Sequence, residues 1–349
     1  MAKRPAFFVS IVTWNSAAEI GQCLESLRQQ TFRNFRVGIL DNASSDRTLR
    51  TIRHLSSLVS VLVTSPENLG YSGGHNRLLT RAHSDYVLFL NPDVRLAPDF
   101  LETAHAALEA RPECGSLAPR LLRMAGVEEA FAPLRFLDSA GMFWTRSQRH
   151  FDRGSGQPDD ERYRRSEYVF GPSGAAAVYR RACLDDVAFG KEVWDEDFFA
   201  YREDADLAWR AAWRGWKCLY APEVTAWHVR KVLPRGRSRY PAAVNRHSVK
   251  NRFLLRMKNM PLSTFLRFSP WILARDLCVL AGVFLKEFRS IPAFGQVLRL
   301  VPRFRAKRRH VMGHRKAGAA DLARWFTQSS RPLTETAEPQ RTEVGKCKV

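Results

Sequence analysis

The stretch "DYVLFLNPDVRL" (85–96) carries five consecutive apolar residues and then stops on Asn91, Pro92 and Asp93. An apolar run of that length, closed by turn residues, reads as a buried strand. Its end has two readings. Asn, Pro and Asp are ordinary turn formers. Equally, side-chain oxygens at Asn91 and Asp93, one residue apart, suit a divalent cation that also holds a phosphate oxygen. The surrounding sequence supplies the context for choosing.

Upstream, "FFVSIVTW" (7–14), "RVGIL" (36–40) and "VSVLVTS" (59–65) are further strand-like runs. Between them lie helix-spaced apolar sets, Ile20, Leu24 and Leu27 and then Leu49, Ile52 and Leu55, and a Gly-rich loop that leads from residue 67 into a helix. This β-α-β-α-β-α-β order specifies an α/β fold with a mostly parallel sheet and helices on both faces. Ligands of such sheets bind beyond the carboxyl ends of the strands. Thr13, Asn15, Asp41, Asn42, Asn68, Asn91 and Asp93 all fall at those ends.

Downstream, 97–115 reads as a helix opened by Pro98 and stopped by Gly115, and 125–168 as irregular, mobile loops. A strand is expected within 168–181, a helix over 204–216, and extended chain over 218–229. From 245 to 310, apolar and basic residues alternate at helical spacing, interrupted by Pro261, Pro270, Pro292 and Pro302. The Ser, Thr, Pro and Glu-rich tail from 327 to 349 reads as disordered. The N-terminus lacks a long apolar core and a small-residue cleavage site, so it reads as a first strand and not a signal peptide. No stretch reaches the ~18 uncharged apolar residues of a membrane span; "LCVLAGVFL" (277–285) comes nearest, between Asp276 and Lys286. The six cysteines are scattered without a CxxC pair, which fits a reducing compartment.

Charge is unevenly spread. Residues 230–316 hold 22 Lys and Arg against only Asp276 and Glu287, so the net +20 falls there, and 33 basic residues elsewhere match 33 acidic ones. Such a segment can be a solvated face, a nucleic-acid patch or a membrane-surface anchor. Large apolar groups interleaved with Lys and Arg, as in "TFLRFSPWILARDLCVLAGVFLKEF", favour an interfacial helix on anionic lipid. No nucleic-acid reading motif is present.

A second acidic feature is "WDEDFFAYREDADLAWR" (194–210), with six acids over 195–206. Glu203, Asp204 and Asp206 suit the first turn of a helix. That leaves the rest of a self-repelling cluster to be explained, and cations or a substrate hydroxyl would relieve it. His228 follows at a strand end, where a lone histidine is more often structural than a ligand. Gly70, Gly73 and Gly74 precede a helix in a pattern that is neither a dinucleotide fingerprint nor a P-loop.

Together, "VSIVTWN", "ILDNASSD", "NLGYSGGHN", "FLNPDV" and "FFAYREDADLAWR…WH" resemble, in this order, family 2 glycosyltransferases with the GT-A fold, and most of all their rhamnosyltransferase-like and galactofuranosyltransferase-like members. The resemblance covers about residues 7–232. It implies a Rossmann-like nucleotide-binding half over about 1–125, an acceptor half over about 126–240, and a basic amphipathic helical region over 241–326. It implies that Thr13, Asn15 and Asp41 hold the base and ribose of a dTDP- or UDP-sugar, with Asn42 and Asn91 among the nucleotide-sugar contacts. Asn68, Gly70, Gly73, Gly74 and Asn76 fall in a nucleotide and sugar contact region. Asp93 stands as the second acid of a DxD motif, with Asn91 in the place of the first, and His228 as a metal ligand for Mn²⁺ or Mg²⁺. Asp204, preceded by Glu203, stands as the catalytic base of an inverting transfer to a glycan or lipid-linked glycan. The implied place is the cytoplasm, peripheral on the inner face of the plasma membrane. The other classes to be separated by experiment are a sugar-nucleotide-binding protein without transfer activity and a basic nucleic-acid or membrane-surface binder.

Overall fold

The computed structural model describes residues 4–124, 133–230, 241–329 and Leu333. The four apolar runs form β1 (Phe7–Thr13), β2 (Phe35–Asn42), β3 (Val59–Ser65) and β4 (Tyr86–Leu90). They lie parallel in the order β3-β2-β1-β4. The crossovers are α1 (Ile20–Arg28), α2 (Thr48–His54) and α3 (Gly70–Leu79). β4 is buried at every residue and β1 at all but one, as strands covered on both faces must be, whereas edge strand β3 alternates between half-buried and exposed. β1 has β2 on one side and β4 on the other, so the strand order reverses there, and a crevice opens at the carboxyl ends.

The same sheet continues through the rest of the chain. β11 (Ala176–Arg180) runs antiparallel to β4 and to β6 (Cys114–Met124), and β6 runs parallel to the long β12 (Lys217–His228). β5 (Val94–Leu96) pairs with the end of β12, β7 (Pro133–Ser139) with β6, and β10 (Glu167–Val169) closes the edge. A hairpin of β8 (Met142–Trp144) and β9 (His150–Asp152) stands apart. α4 (Phe100–Glu109), α5 (Arg181–Val187) and α6 (Glu203–Trp213) pack on the sheet. They are followed by α7 (Ala242–Asn259), α8 (Leu262–Leu285), α9 (Pro292–Gly313) and α10 (Ala319–Arg324).

Several expectations are corrected. The region read as irregular loops contains β7, β8, β9 and β10, whose short runs carry too little alternation to stand out; residues 125–132 lie outside the described residues. The helix expected to 115 ends at Glu109, and Gly115 lies inside β6, where an added Cβ would meet Cys183 Sγ at 2.7 Å. Gly70, Gly73 and Gly74 are not a loop but the first turns of α3. Gly70 adopts φ +71°, and a Cβ there would meet the Phe199 carbonyl oxygen at 2.5 Å, while one on Gly74 would meet Val12 at 2.8 Å. These glycines let α3 seat against β1 and the chain before α6. Pro270 and Pro302 sit within α8 and α9 and do not end them, whereas Pro261 and Pro292 do stand at helix starts. The tail beyond 329 lies outside the described residues apart from Leu333.

The run 277–285, flanked by Asp276 and Lys286, is the end of a longer helix, α8. At 24 residues it is the one helix among the described residues long and apolar enough, by length and composition, to cross a membrane. One side packs on the protein through Thr264, Phe268, Ile272 and Val283. Leu262, Leu266, Leu273, Leu277 and Phe284 are all more than half exposed. At about 100° per residue these five fall within about 60° around the helix, so they form one apolar stripe.

Candidate functional site

The chain after β4 explains the abrupt end of the opening stretch. Val94 N donates to the Asn91 carbonyl at 3.2 Å and closes a turn. The chain then enters β5, which pairs antiparallel with β12 so that Val94 opposes His228, and Val229 N donates to the Asp93 carbonyl at 3.1 Å. The turn thus aims Asp93 at His228. Asp93 Oδ1 is buried, accepts no hydrogen bond, and lies 3.4 Å from His228 Nε2. On the other side of the ring, His228 Nδ1 bonds Asp138 Oδ2 at 2.8 Å. Burial disfavours the charged imidazole, but the bond to Asp138 and the charge of the nearby Asp93 outweigh it and lift the His228 pKa to about 9. Asp138 is itself held below the usual carboxylate range: burial opposes ionisation, and His228 and Arg230 more than offset it.

Asn91, Asp93 and His228 line a cavity of about 760 Å³ together with Glu203 and Asp204. The two acids stand at the head of α6. The approach to that helix is strained, with Phe199, Tyr201 and Arg202 all at positive φ. Asn251 of α7 holds it by presenting its amide nitrogen to the carbonyls of Phe198, Ala200 and Tyr201 at 2.7–2.9 Å. Asp204 Oδ1 accepts from Ala205 N at 2.7 Å and Oδ2 from Gly174 N at 3.2 Å. The same Gly174 accepts a hydrogen bond from the Tyr71 hydroxyl through its carbonyl. Burial, and then the nearby Asp152, raise the Asp204 pKa above the ordinary value. Glu203 is raised further by burial and by Asp204, and its Oε2 is buried without a partner.

The other four acids of the cluster do different work. Asp195 binds Lys258 of α7 and Lys307 of α9, Asp197 binds Lys307 and Arg303, and Asp206 binds Arg210 at 2.9 Å and Lys258 at 2.7 Å. Glu196 accepts from the Asn76 amide. The self-repulsion evident in the sequence is relieved by lysines from the C-terminal helices, which therefore turn part of their basic surplus inward.

Of the remaining sequence candidates, Thr13, Asn15, Asp41, Asn42 and Asn68 gather at the carboxyl ends of β1, β2 and β3, off the wall of that cavity. Thr13 donates to Asp41 at 2.9 Å, and Asp41 also accepts from Ser44. Asn15, at φ 50°, accepts from Ser45 N. Asn42 bonds Leu69 N and the Gly70 carbonyl, and Asn68 accepts from Gly70 N, so both fix the start of α3. Asn76 is occupied by both backbone groups of Trp194. Sequence reasoning missed Asp138, Asp152, Tyr71, Asn251 and Arg230. Asp138 lies in the region read as irregular, and Asn251 and Arg230 in the stretch read only as basic surface, so no local pattern marked them.

A Rossmann-like crevice beside a mostly parallel sheet, with an acid and a histidine beyond the strand ends and a carboxylate at a helix start, defines a GT-A glycosyltransferase. The family model described as glycosyl transferase family 2 matches residues 8–187, and the chain belongs to that family. It is 28% identical over 239 residues to the N-acetylglucosaminyl-diphospho-decaprenol L-rhamnosyltransferase of Mycobacterium tuberculosis, a match covering 63% of this chain and 75% of the relative. Its structure resembles S. aureus TarS in complex with UDP-GlcNAc, with a TM-score of 0.54 and 18% identity over 92% of this chain and 89% of that one. It also resembles the mannosyltransferase PcManGT of Pyrobaculum calidifontis in complex with GDP-Man and Mn²⁺, with a TM-score of 0.52 and 18% identity over 94% and 89% of the two chains. At that identity the structural likeness is one of fold.

Proposed function

We propose that the chain is an inverting glycosyltransferase that moves a sugar, rhamnose foremost, from a dTDP- or UDP-sugar to a hydroxyl of a glycan or lipid-linked glycan. The observation that carries this reading is Asp204, a buried carboxylate in the same cavity as Asp93 and His228, with both oxygens aligned by backbone N–H groups. The acceptor oxygen forms its bond to the anomeric carbon as the bond to the diphosphate oxygen breaks. The hydroxyl proton passes to Asp204, and the electron pair leaves with the nucleoside diphosphate. An Asp raised by burial is a stronger base than one in water, while its two N–H donors keep the ionised form accessible.

The residues present fit a divalent cation. Asp93 Oδ1 lacks a partner, His228 Nε2 faces it, and Nδ1 is tied to Asp138, which is the arrangement that orients a ligating imidazole. No group of three or more His, Cys, Asp and Glu side chains arranged for a metal occurs among the described residues. Asp93 and His228 would therefore hold Mn²⁺ or Mg²⁺ as a pair, with phosphate oxygens and water completing the shell. Such an ion would neutralise the departing diphosphate.

The apolar stripe of α8 supports a place on the membrane surface at its cytoplasmic face. Asp276, midway along α8, is bound to Arg252 and Arg256 of α7, so the helix lies against the body of the protein and its outer side meets lipid. Asp204→Asn tests the transferase reading. Transfer should fall by about 10²–10⁴-fold with nucleotide affinity unchanged; full turnover by this variant removes Asp204 from the role of base.

A further inference from the structure

The C-terminal helices bring to the cavity a cluster of guanidinium groups that the donor chemistry leaves unused. Arg252 of α7 and Arg275 of α8 both line it. Arg252 is 4% exposed, which is far from the ordinary state of an arginine. Its Nε donates to Asp276 at 3.0 Å, and Arg256 donates to the other oxygen of the same carboxylate at 2.5 Å. Two guanidinium groups thus share one carboxylate, and Arg275 adds a third positive charge beside them. Arg252 Nη2, Arg256 Nη1 and Arg275 Nε are buried and find no acceptor. Burial, followed by repulsion from Arg256 and Arg275 that Asp276 only partly offsets, pushes the Arg252 pKa down to about 10. Arg149 and Arg202 approach from the β8–β9 hairpin and the head of α6, and both act on His150 together with Arg252. The acids that line this cavity are Asp93, Asp152, Glu203 and Asp204; Asp93 is paired with His228 and Asp152 with Arg230. Buried cations with empty donors of this kind are held for an anion.

Two observations say which anion. The acid and histidine suited to the donor diphosphate belong to β5, its preceding turn and β12, whereas Arg252 and Arg275 come from helices that follow the completed sheet. Beside the arginines the wall carries Val244 and Val249 of α7 and Val279 of α8, together with the polar Asn245 and Ser248 of α7. The exposed stripe of α8, Leu266, Leu273 and Leu277, lies on the far side of the helix from Arg275 and Val279, so the cavity-facing side of α8 carries its own apolar contact.

We propose that Arg252 and Arg275 form a subsite for the phosphate or diphosphate ester of the acceptor, with its apolar chain leaving along α8. This deepens the transferase reading and rests on it. The subsite sets which acceptors are used, through the charge next to the sugar, and it acts independently of the donor site.

Calorimetry on the full chain tests it with farnesyl diphosphate as the probe. Farnesol, inorganic diphosphate and short-chain phosphatidylglycerol are the comparisons, each with and without saturating UDP or dTDP. Farnesyl diphosphate should bind at least about tenfold more tightly than any comparison and should persist with nucleotide present. Arg275→Gln and Arg252→Gln should each weaken it about tenfold and leave nucleotide affinity within about twofold. Arg275 is only half-buried, so its variant reports even where Arg252→Gln fails to fold. Displacement of the probe by nucleotide, equal binding of farnesol, inorganic diphosphate or phosphatidylglycerol, or unaltered binding by Arg275→Gln overturns the subsite. Failure of nucleotide to bind at all overturns the transferase reading instead, and the two results are read from separate titrations.

Discussion

Lys258→Met is the sharpest test of how the C-terminal helices hold the site. Lys258 is fully buried, and its ammonium bridges Asp195 and Asp206, which are fully buried as well. Met preserves the length of the side chain and removes the charge. Each carboxylate keeps one other cation, Lys307 on Asp195 and Arg210 on Asp206. The loss should therefore fall at the low end of the range for breaking a buried pair, about 3 kcal/mol. With a urea slope of about 3 kcal/mol/M, the midpoint should drop by about 1 M. Urea unfolding followed by the fluorescence of the buried Trp194, Trp209 and Trp213 measures it. Adding Asp206→Asn should recover at least about 1 kcal/mol, because the two changes share one interaction. The pH dependence adds a signed check. Burial pushes the Asp195 pKa up, but Lys258 and Lys307 outweigh it and hold it well below the usual range. A depressed carboxylate contributes stability above its unfolded pKa, about 3.9, and loses it as pH falls toward the folded value. The gap between wild type and Lys258→Met should thus be full at pH 7 and narrow below about pH 4. A midpoint change under about 0.3 M at pH 7, or strict additivity with Asp206→Asn, refutes the bridge as a stabilising element.

Two further outcomes follow from the site itself. Glu203 is raised by burial and by Asp204, so its ionised form costs stability above the unfolded pKa; Glu203→Gln should stabilise the protein by about 0.5–2 kcal/mol at pH 8 and by little at pH 4, as read by thermal melting at both pH values. Asp138 touches His228 from behind, so Asp138→Asn should weaken Mn²⁺-dependent nucleotide binding by about 10–100-fold and leave metal-free nucleotide binding unaltered, as measured by calorimetry with and without chelator.

The parallel half of the sheet was legible because each strand is a continuous apolar run closed by polar residues, a signal that needs no partner. The convergence of Asn91 and Asp93 with Asp204 and His228 followed from the family resemblance, and the β5–β12 pairing supplies its physical cause. The rest depends on contacts between distant segments. The acid cluster looked reactive because the lysines that neutralise it lie 52 and more residues further on, at Lys258 and Lys307. Asn42 and Asn76 are bonded to backbone groups, which their sequence context could not show, because an amide side chain reads the same whether it binds a substrate or a backbone. Pro270 and Pro302 looked like breaks because propensity is local, and the helices containing them are held by packing.

The bridging lysines also set an order of assembly in time. The sheet is complete once His228 has been made, yet Asp195 and Asp197 stay without their cationic partners until Lys258 and then Arg303 and Lys307 emerge. At about 5–20 residues per second, the 79 residues from His228 to Lys307 take roughly 4–16 s to synthesise. During that interval the nascent chain carries a finished sheet beside an α6 head that still lacks these cations. The cavity itself is completed only when α7 and α8 dock, since both line it, and α8 carries the apolar stripe proposed to meet the membrane.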